Sequence, residues 1–454
     1  MLGLGASGRA ACRLLSALGK EVFACDGGAE RPVDVPDGVE VAWGTHEVGE
    51  IDALVLSPSL NPEWPENQAK PDLAALYARG IPLVSEVALA CSAFGGRVLS
   101  IGGTDGKSTT AAMAHAIASA SGARVLLGGN SWTAMSDVVL SDALAAREEG
   151  CAPASAAVVE VSAFQLWRGH ALQPDVALLT NVALDHLDHY ASADDYVAAK
   201  AHVLARLGAG ARVVLYAHDL RLERMARAAR DQGARVAYYA DTAETDALAA
   251  WQEPAALALR SGVGVQRAPL SALQVPGSHN RRNALGAWLA ARALLGDGVD
   301  ADACARGLAS FSGLPHRLAI VRERAGVRYY DDSKATNVHA ALVGLRSLEG
   351  PLVAIVGGVD KGLPLEPLIA TLEERARAVA VIGGLRERFT REAAGRIALT
   401  PHETLKGAVA WAAEVAQEGD AVTLSPGCSS FDMFTGFEAR GRAYVEAVNS
   451  LPAL

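Results

Sequence analysis

Short apolar runs alternate with polar turns and with stretches of helical spacing along this chain of 454 residues. The runs have the length of buried strands, and the turns between them are rich in Gly, Ser, Asn and Asp. Arg97–Ile101 reads as a strand, and Thr110–Ser121, alanine-rich and free of Gly and Pro, as the helix that follows it. Further strands are expected at Glu21–Asp26, Ala53–Leu56, Ala156–Val161, Val176–Thr180, Ala211–Leu215 and Arg235–Tyr239, with helices over Tyr196–Leu207 and Asn283–Leu295. The alternation is cleanest near the end. There Val327–Asp331, Leu352–Val356, Ala378–Ile382 and Ala421–Leu424 interleave with helices over His339–Leu345, Leu365–Arg375, Leu405–Gln417 and Phe437–Ser450. Such alternation predicts an α/β fold with parallel sheets covered on both faces. Ligands of such sheets bind at the loops after the strands' carboxyl ends.

The length calls for more than one domain. We divide the chain into a Rossmann-like unit at 1–92, a larger P-loop-containing parallel-sheet domain at 93–312, and a second Rossmann-like α/β domain at 313–454. Half the residues are hydrophobic, and 41 basic against 51 acidic residues leave a net charge of −10. That balance argues against a nucleic-acid partner, which would want a basic face. No apolar stretch is long enough to span a bilayer, and no charged-then-apolar leader is present, so a cytoplasmic protein is expected. The six cysteines are scattered, with no C-x-x-C pair and no His at zinc spacing, so buried reduced thiols are expected.

Candidate chemistry centres on Ile101-Gly102-Gly103-Thr104-Asp105-Gly106-Lys107-Ser108-Thr109-Thr110. A strand, a glycine loop, Gly-Lys-Ser and a helix together cradle phosphates. Small residues let backbone N–H groups approach anionic oxygens, and the helix N-terminus favours negative charge. Lys107 would reach the outer phosphates and Ser108 would ligate magnesium. Gly102 and Gly106 are separated by one residue fewer than in the generic P-loop. Magnesium wants hard oxygen ligands. Glu160, ending a strand, is the natural second one, and His186 could add or orient another. Lys200 lies among Ala and Val in a predicted helix, and spacing alone favours a buried stem with its ammonium in water.

Near the start, Gly3-Leu4-Gly5-Ala6-Ser7-Gly8 fits G-x-G-x-x-G, the next strand ends in Asp26, and Ser57-Pro58-Ser59 follows a third strand. Only Met1 and Leu2 precede the motif, and a structural βαβ unit with no nucleotide is the alternative. In the last region Lys334 and Lys361 stand in strand-end loops, where a cation can clamp a carboxylate or a terminal phosphate. Arg317, in Gly313-Leu314-Pro315-His316-Arg317, follows a rigid turn and is placed to reach phosphates if the domains close. Taken singly, each of these three is equally a surface charge.

Taken in order, these motifs resemble those of the Mur ligases, the ATP-dependent amino-acid-adding enzymes of peptidoglycan synthesis. The carriers are Gly103–Thr109, Gly128-Gly129-Asn130, Glu160–Leu166, Asn181–Tyr190, Gly277–Asn283, Gly313–Arg317, Asp331–Asn337 and Leu424–Phe431, spread over nearly the whole chain. The short glycine loop is the form these ligases use. The resemblance implies a UDP-binding, an ATP-binding and a mobile amino-acid-binding domain. It implies that Gly103, Thr104, Asp105, Gly106, Lys107, Ser108 and Thr109 hold the ATP phosphates, and that Asn280, Asn283, Arg317 and Asp332 line the nucleotide. Ser108 and Glu160 would bind one magnesium ion. His186 and Lys200 would serve a second, with Lys200 carbamylated. Asn130 would contact the muramoyl substrate, with Ser7, Asp26, Ser57 and Ser162 also on the substrate side. Lys334, Thr336, Lys361, Ser430 and Phe437 match positions that handle D-glutamate or the transferred phosphate.

The implied reaction joins D-glutamate to UDP-N-acetylmuramoyl-L-alanine through an acyl phosphate, in a protein expected to be a monomer. Two departures stand out. Gly27 and Gly28 follow Asp26 where related enzymes often carry Thr and Arg, and Asp105 replaces an Asn, adding negative charge near the phosphates. The competing readings are a diaminopimelate-, lysine- or L-glutamate-adding relative, a folylpolyglutamate-type synthase, and a non-catalytic nucleotide-binding regulator. The diaminopimelate type usually carries Asp-Asn-Pro-Arg in its last domain, which this chain lacks, and Asp331–Asn337 fits the D-glutamate type. A dinucleotide oxidoreductase would leave the glycine loop unexplained.

Overall fold

The computed structural model describes residues 1–30, 34–167, 172–183, 190, 192–243, 248–262, 264–360, 362 and 364–452. The chain forms two compact units, Met1–Gln274 with Asn280–Phe311, and Val275–His279 with Ser312–Leu454.

In the first unit, Phe23–Asp26 pairs in parallel with Glu40–Trp43, and Leu54–Leu56 with Leu83–Ser85. Leu2 bridges Cys25 on one side and Leu56 on the other, so the short run before the glycine motif fills the central strand position. Leu2, Cys25, Leu54, Leu56 and Leu73 pack beneath it with Trp167. The helix Ala6–Ala17 crosses so close that a Cβ at Gly8 would overlap the Gly3 carbonyl oxygen. That crossing is what the third glycine of the motif permits. Residues 1–92 are tied firmly to the rest of the unit. Arg13 makes two 2.8 Å bonds to the Asp137 carboxylate, and the buried Asn61 amide donates to the carbonyls of Phe164 at 3.3 Å and Leu166 at 3.2 Å.

Among the described residues the large sheet of this unit has nine strands. In spatial order they are Gly264–Pro269, Ala256–Ser261, Leu248–Gln252, Arg235–Ala240, Arg212–Tyr216, Val176–Leu179, Arg97–Gly102, Ala156–Glu160 and Val125–Gly129. All pairs are parallel except those of Ala256–Ser261, which runs antiparallel to both neighbours. The central strands are almost entirely buried and mostly apolar, as parallel strands covered on both faces are. Val158, Val159, Val176 and Leu178 have no exposed surface, and each such side chain contributes roughly 1.5–3 kcal/mol of burial. The chain leaves Arg97–Gly102 to one side and Val176–Leu179 lies on the other. Their carboxyl ends therefore flank a topological switch point.

The second unit has a six-stranded sheet, ordered Ala319–Arg324, Val327–Asp331, Ala421–Leu424, Leu352–Gly357, Ala376–Ile382 and Leu399–Pro401. The first strand pairs antiparallel and the rest are parallel. Antiparallel edges in both sheets join the parallel strands the pattern predicts. They are short hairpins whose alternation is too brief to read from sequence. Strand Val125–Gly129 and helix Met135–Glu149 also escaped the pattern, because glycines end the strand and the helix opens without a side-chain cap. Among the described residues no helix is long and apolar enough to cross a membrane. The six cysteines are free, and Cys151 is exposed rather than buried.

Candidate active site

The strand Arg97–Gly102 delivers its chain into the glycine loop, and the helix begins at Lys107, three residues earlier than the apolar pattern alone indicates. Gly106 caps this helix at φ +79°, a left-handed conformation natural to glycine. Its missing Cβ leaves room for Asn283, whose Oδ1 would lie 2.6 Å from one. Gly103, at φ +128°, lies against the Thr180 hydroxyl, which a Cβ would overlap.

The loop's carbonyls are occupied from behind. Thr180 Oγ1 donates to Asp105 O at 2.6 Å, and Asn181 Nδ2 donates to the same oxygen at 3.0 Å. Asn181 Oδ1 in turn accepts from Asp105 N at 3.0 Å. Thr104 Oγ1 donates to Ala183 O at 2.9 Å. Lys107 Nζ lies 2.7 Å from Thr104 O. Ser108 and Thr109 are buried in the first turn of the helix. Asn280 and Asn283 face each other at 3.4 Å in a helix that starts at Ser278, so the loop, Lys107 and both asparagines come together in one unit.

Lys200 departs from its spacing-based reading. It is buried, its Nζ donates to Gly103 O at 2.8 Å, and it lies 4.8 Å from the centre of the Tyr196 ring. The ammonium is turned into the loop, and the same helix, Ala193–Ala201, brings the Tyr196 hydroxyl to 3.2 Å from Thr104 Oγ1, an approach that sequence spacing could not reveal.

Glu160 pairs with Ile101 on one side and Gly129 on the other, directly beside the loop. Its side chain is fully buried. It accepts from Asn130 Nδ2 and Ser131 Oγ, both at 3.0 Å, and from Trp132 Nε1 at 2.9 Å. All three donors are neutral, and no Lys or Arg among the described residues pairs with it. A buried carboxylate without a cation is costly, so its donor set suits a cation next to the glycine loop. Asn130 is thus joined to Glu160, and Ser162 closes a capping box with Gln165 just after that strand. Asp26 and Ser57 lie at the strand ends of the small sheet, and Ser7 lies in the first turn of the helix Ala6–Ala17. Asp26 accepts from Leu4 N at 2.8 Å and Gly28 N at 2.9 Å, and Ser57 abuts Gly3. His186 lies outside the described residues.

In the second unit, loops after three strands converge. Arg440, 1% exposed, donates to Ser333 Oγ and Ser333 O at 3.0 and 2.9 Å, and to Cys428 O at 3.0 Å. Burial lowers its guanidinium pKa to about 10. The Lys334 ammonium stands 3.8 Å from the centre of the Phe437 ring. Ser430 is buried at the start of a turn, and Thr336 N donates to Lys334 O at 2.8 Å. Arg317 sits between two residues in left-handed backbone, His316 at φ +62° and Leu318 at φ +49°. Asp331 Oδ2 holds His316 Nδ1 at 2.6 Å, and Asp332 Oδ1 accepts from Leu318 N at 3.3 Å. Such strain persists only where neighbours over-determine it, and here the two acids do so. Asp332 also accepts from Ser425 Oγ at 2.8 Å, and burial pushes its carboxyl up to about 7. Lys361 lies outside the described residues. Trp132, Arg440 and Asp331 were not singled out as site residues; an indole or a helix arginine carries no local signal for a partner distant in sequence.

A glycine loop, a helix N-terminus and a buried acid at a switch point define a nucleotide-phosphate site on an α/β frame. The Mur ligase middle domain matches residues 101–291, and the Mur ligase glutamate ligase domain matches 316–428. The chain belongs to the Mur ligase family. It is 33% identical to the UDP-N-acetylmuramoylalanine–D-glutamate ligase of Syntrophus aciditrophicus over 99% of this chain and 97% of that one. It is 36% identical to the enzyme of the same name from Anaeromyxobacter dehalogenans, over 98% and 96%. Folylpolyglutamate synthase of Mycobacterium tuberculosis, complexed with ADP and AMPPCP, shares the fold with a TM-score of 0.61 at 18% identity, over 81% of this chain and 94% of that one. MurF ligase of Thermotoga maritima in complex with ADP does so at 0.59 and 16%, over 94% and 88%.

Proposed function

We propose that this chain joins D-glutamate to UDP-N-acetylmuramoyl-L-alanine at the expense of ATP, a step of peptidoglycan synthesis. One observation supports the chemistry above others: the buried Glu160, which pairs with no Lys or Arg among the described residues, beside a glycine loop whose carbonyls are already occupied. ATP and magnesium are the family's general requirement. Ser108 and Glu160 would hold one ion and His186 and Lys200 a second, Lys200 as its carbamate. Bound there, magnesium neutralises charge on the phosphate oxygens.

The division of labour follows the three regions. Residues 1–92 take the UDP end of the substrate, with Ser7, Asp26 and Ser57. Residues 93–312 take ATP over Gly103–Thr109, with Asn280 and Asn283, and the muramoyl end at Asn130 and Ser162. Residues 313–454 contribute Arg317 and Asp332 for the nucleotide, and Lys334, Thr336, Lys361, Ser430 and Phe437 for D-glutamate. A carboxylate oxygen of the alanyl end attacks the γ-phosphorus, and ADP leaves. The neutral amine of D-glutamate then attacks the acyl carbon, losing a proton as phosphate departs and the amide forms. Lys107 and Lys334 offset the oxygen charge that builds in each step. We place the reaction in the cytoplasm, in a monomer.

An amino-acid panel with UDP-N-acetylmuramoyl-L-alanine and ATP, read as phosphate release, tests this. Release is expected with D-glutamate and not with L-glutamate, lysine or diaminopimelate. Release dependent on a different amino acid would move the chain to another branch of the family. Hydrolysis indifferent to the amino acid would indicate a regulator.

A further inference from the structure

We infer that Trp132 is a positioning residue for the Glu160 carboxylate, and through it for the divalent cation that carboxylate would hold; this rests on the ATP and magnesium reading above. An ionised carboxylate offers about four lone-pair positions. Asn130 Nδ2 and Ser131 Oγ take the two on Oε1, and Trp132 Nε1 takes one on Oε2. The free lone pair therefore belongs to Oε2, the oxygen whose direction the indole fixes. The indole N–H donates only and cannot ligate a cation itself. Asn130 and Ser131 both carry oxygens that can turn toward an arriving ion. Trp132 is thus the donor that keeps its role when the site is loaded.

The frame around it is rigid. Asn130 N donates to Glu160 O at 2.9 Å, Trp132 N to Gly129 O at 3.1 Å, and Gly129 N to Thr133 O at 3.0 Å. Gly129, at φ +109°, lies so close that a Cβ would overlap the Glu160 carbonyl. Indole and carboxylate are therefore mounted on adjoining backbone, the indole on a turn that bonds directly to the end of the Glu160 strand, and outer partners of this kind orient metal ligands.

The test is Mn²⁺ affinity of the full chain with ADP, read from the electron paramagnetic resonance of free Mn²⁺. Trp132→Phe keeps the ring bulk and removes the donor, and should weaken Mn²⁺ binding about 10-fold or more. ADP binding in EDTA should not move. Trp132→Gln, which restores an N–H, should recover affinity toward the wild-type value. Unchanged Mn²⁺ affinity in Trp132→Phe, or equal losses in the Phe and Gln variants, would overturn the inference while leaving the ATP reading intact. A wild-type chain that takes no Mn²⁺ with ADP would overturn both. In the unaltered chain labelled with 5-fluorotryptophan, the Trp132 ¹⁹F resonance should shift on adding Mg²⁺ and ADP, and a static resonance counts against the role even where a variant fails to fold.

Discussion

Two polar loop clusters are held by different means. At the glycine loop of the first unit, hydroxyl, amide and ammonium donors secure the backbone: Thr180 and Asn181 bond to Asp105, Lys107 to Thr104 O and Lys200 to Gly103 O, while Thr104 Oγ1 donates outward to Ala183 O. At the loop edge of the second unit, buried charges do it: Arg440 joins Ser333 to Cys428, and Asp331 and Asp332 hold the turn that carries Arg317. The difference follows from the ligand each would meet. A loop that offers N–H groups to phosphates gains from having its carbonyls occupied by neutral or ammonium donors, which bring no negative charge to the phosphates. Loops that carry Lys334 and Arg317 already bring cations, and buried acids behind them set the direction of the turn. The first cluster should therefore tolerate pH and fail on loss of its lysine. The second should be sensitive to both buried charge and pH.

The largest effect is expected at Lys107. Lys107→Ala should lower turnover about 10²-fold or more, the scale of losing one preorganised charge donor. Near-normal ligation by that variant would remove the glycine loop from the reaction and break the comparison at its first term. Next comes Arg440→Met, which leaves buried carbonyls of Ser333 and Cys428 unpaired. It should destabilise the second unit by about 3 kcal/mol, seen as faster hydrogen exchange across Leu352–Gly357 and Ala421–Leu424. Thr180→Val removes a neutral bond and should cost only about 1 kcal/mol in the first unit. Equal losses at the two positions would erase the contrast between charged and neutral anchoring.

The smallest effect concerns Asp332. Burial holds its carboxyl at about 7, above the ordinary 3.8, so the folded chain keeps a proton that the unfolded chain has already released. Its contribution is full below about pH 4 and is lost as pH rises toward about 7. Thermal unfolding of the second unit should therefore drop by a few degrees from pH 5 to pH 8, and Asp332→Asn should flatten that slope. A parallel slope in wild type and variant would mean that Asp332 does not titrate in this window.

The strand-to-helix rhythm made both parallel sheets legible. Leu352–Gly357 falls where expected, because a fully buried strand reads as an unbroken apolar run. The antiparallel hairpin Ala256–Ser261 with Gly264–Pro269 was not legible, since edge strands mix exposed and buried residues over too few positions. Among candidate site residues, those with a fixed local pattern, Gly103–Thr109 above all, could be named from the chain alone. Lys200 could not be read from its neighbours, and resemblance gave it a role that spacing opposed. Trp132, Arg440 and the His316–Asp331 pair carry no such pattern.

By itself, then, the sequence determined the alternation of strand and helix, the glycine loop, the strand-end acid at position 160 and the family. These depend on periodicity and on residues adjacent in the chain, where covalent geometry does the placing. Only the tertiary structure decided that Lys200 turns inward onto Gly103, that Glu160 is gripped by the neutral donors Asn130, Ser131 and Trp132, and that Arg440 joins loops that lie about a hundred residues apart in the chain. Burial and the direction of a side chain are set by what packs against it from elsewhere, and that information is shared among distant residues.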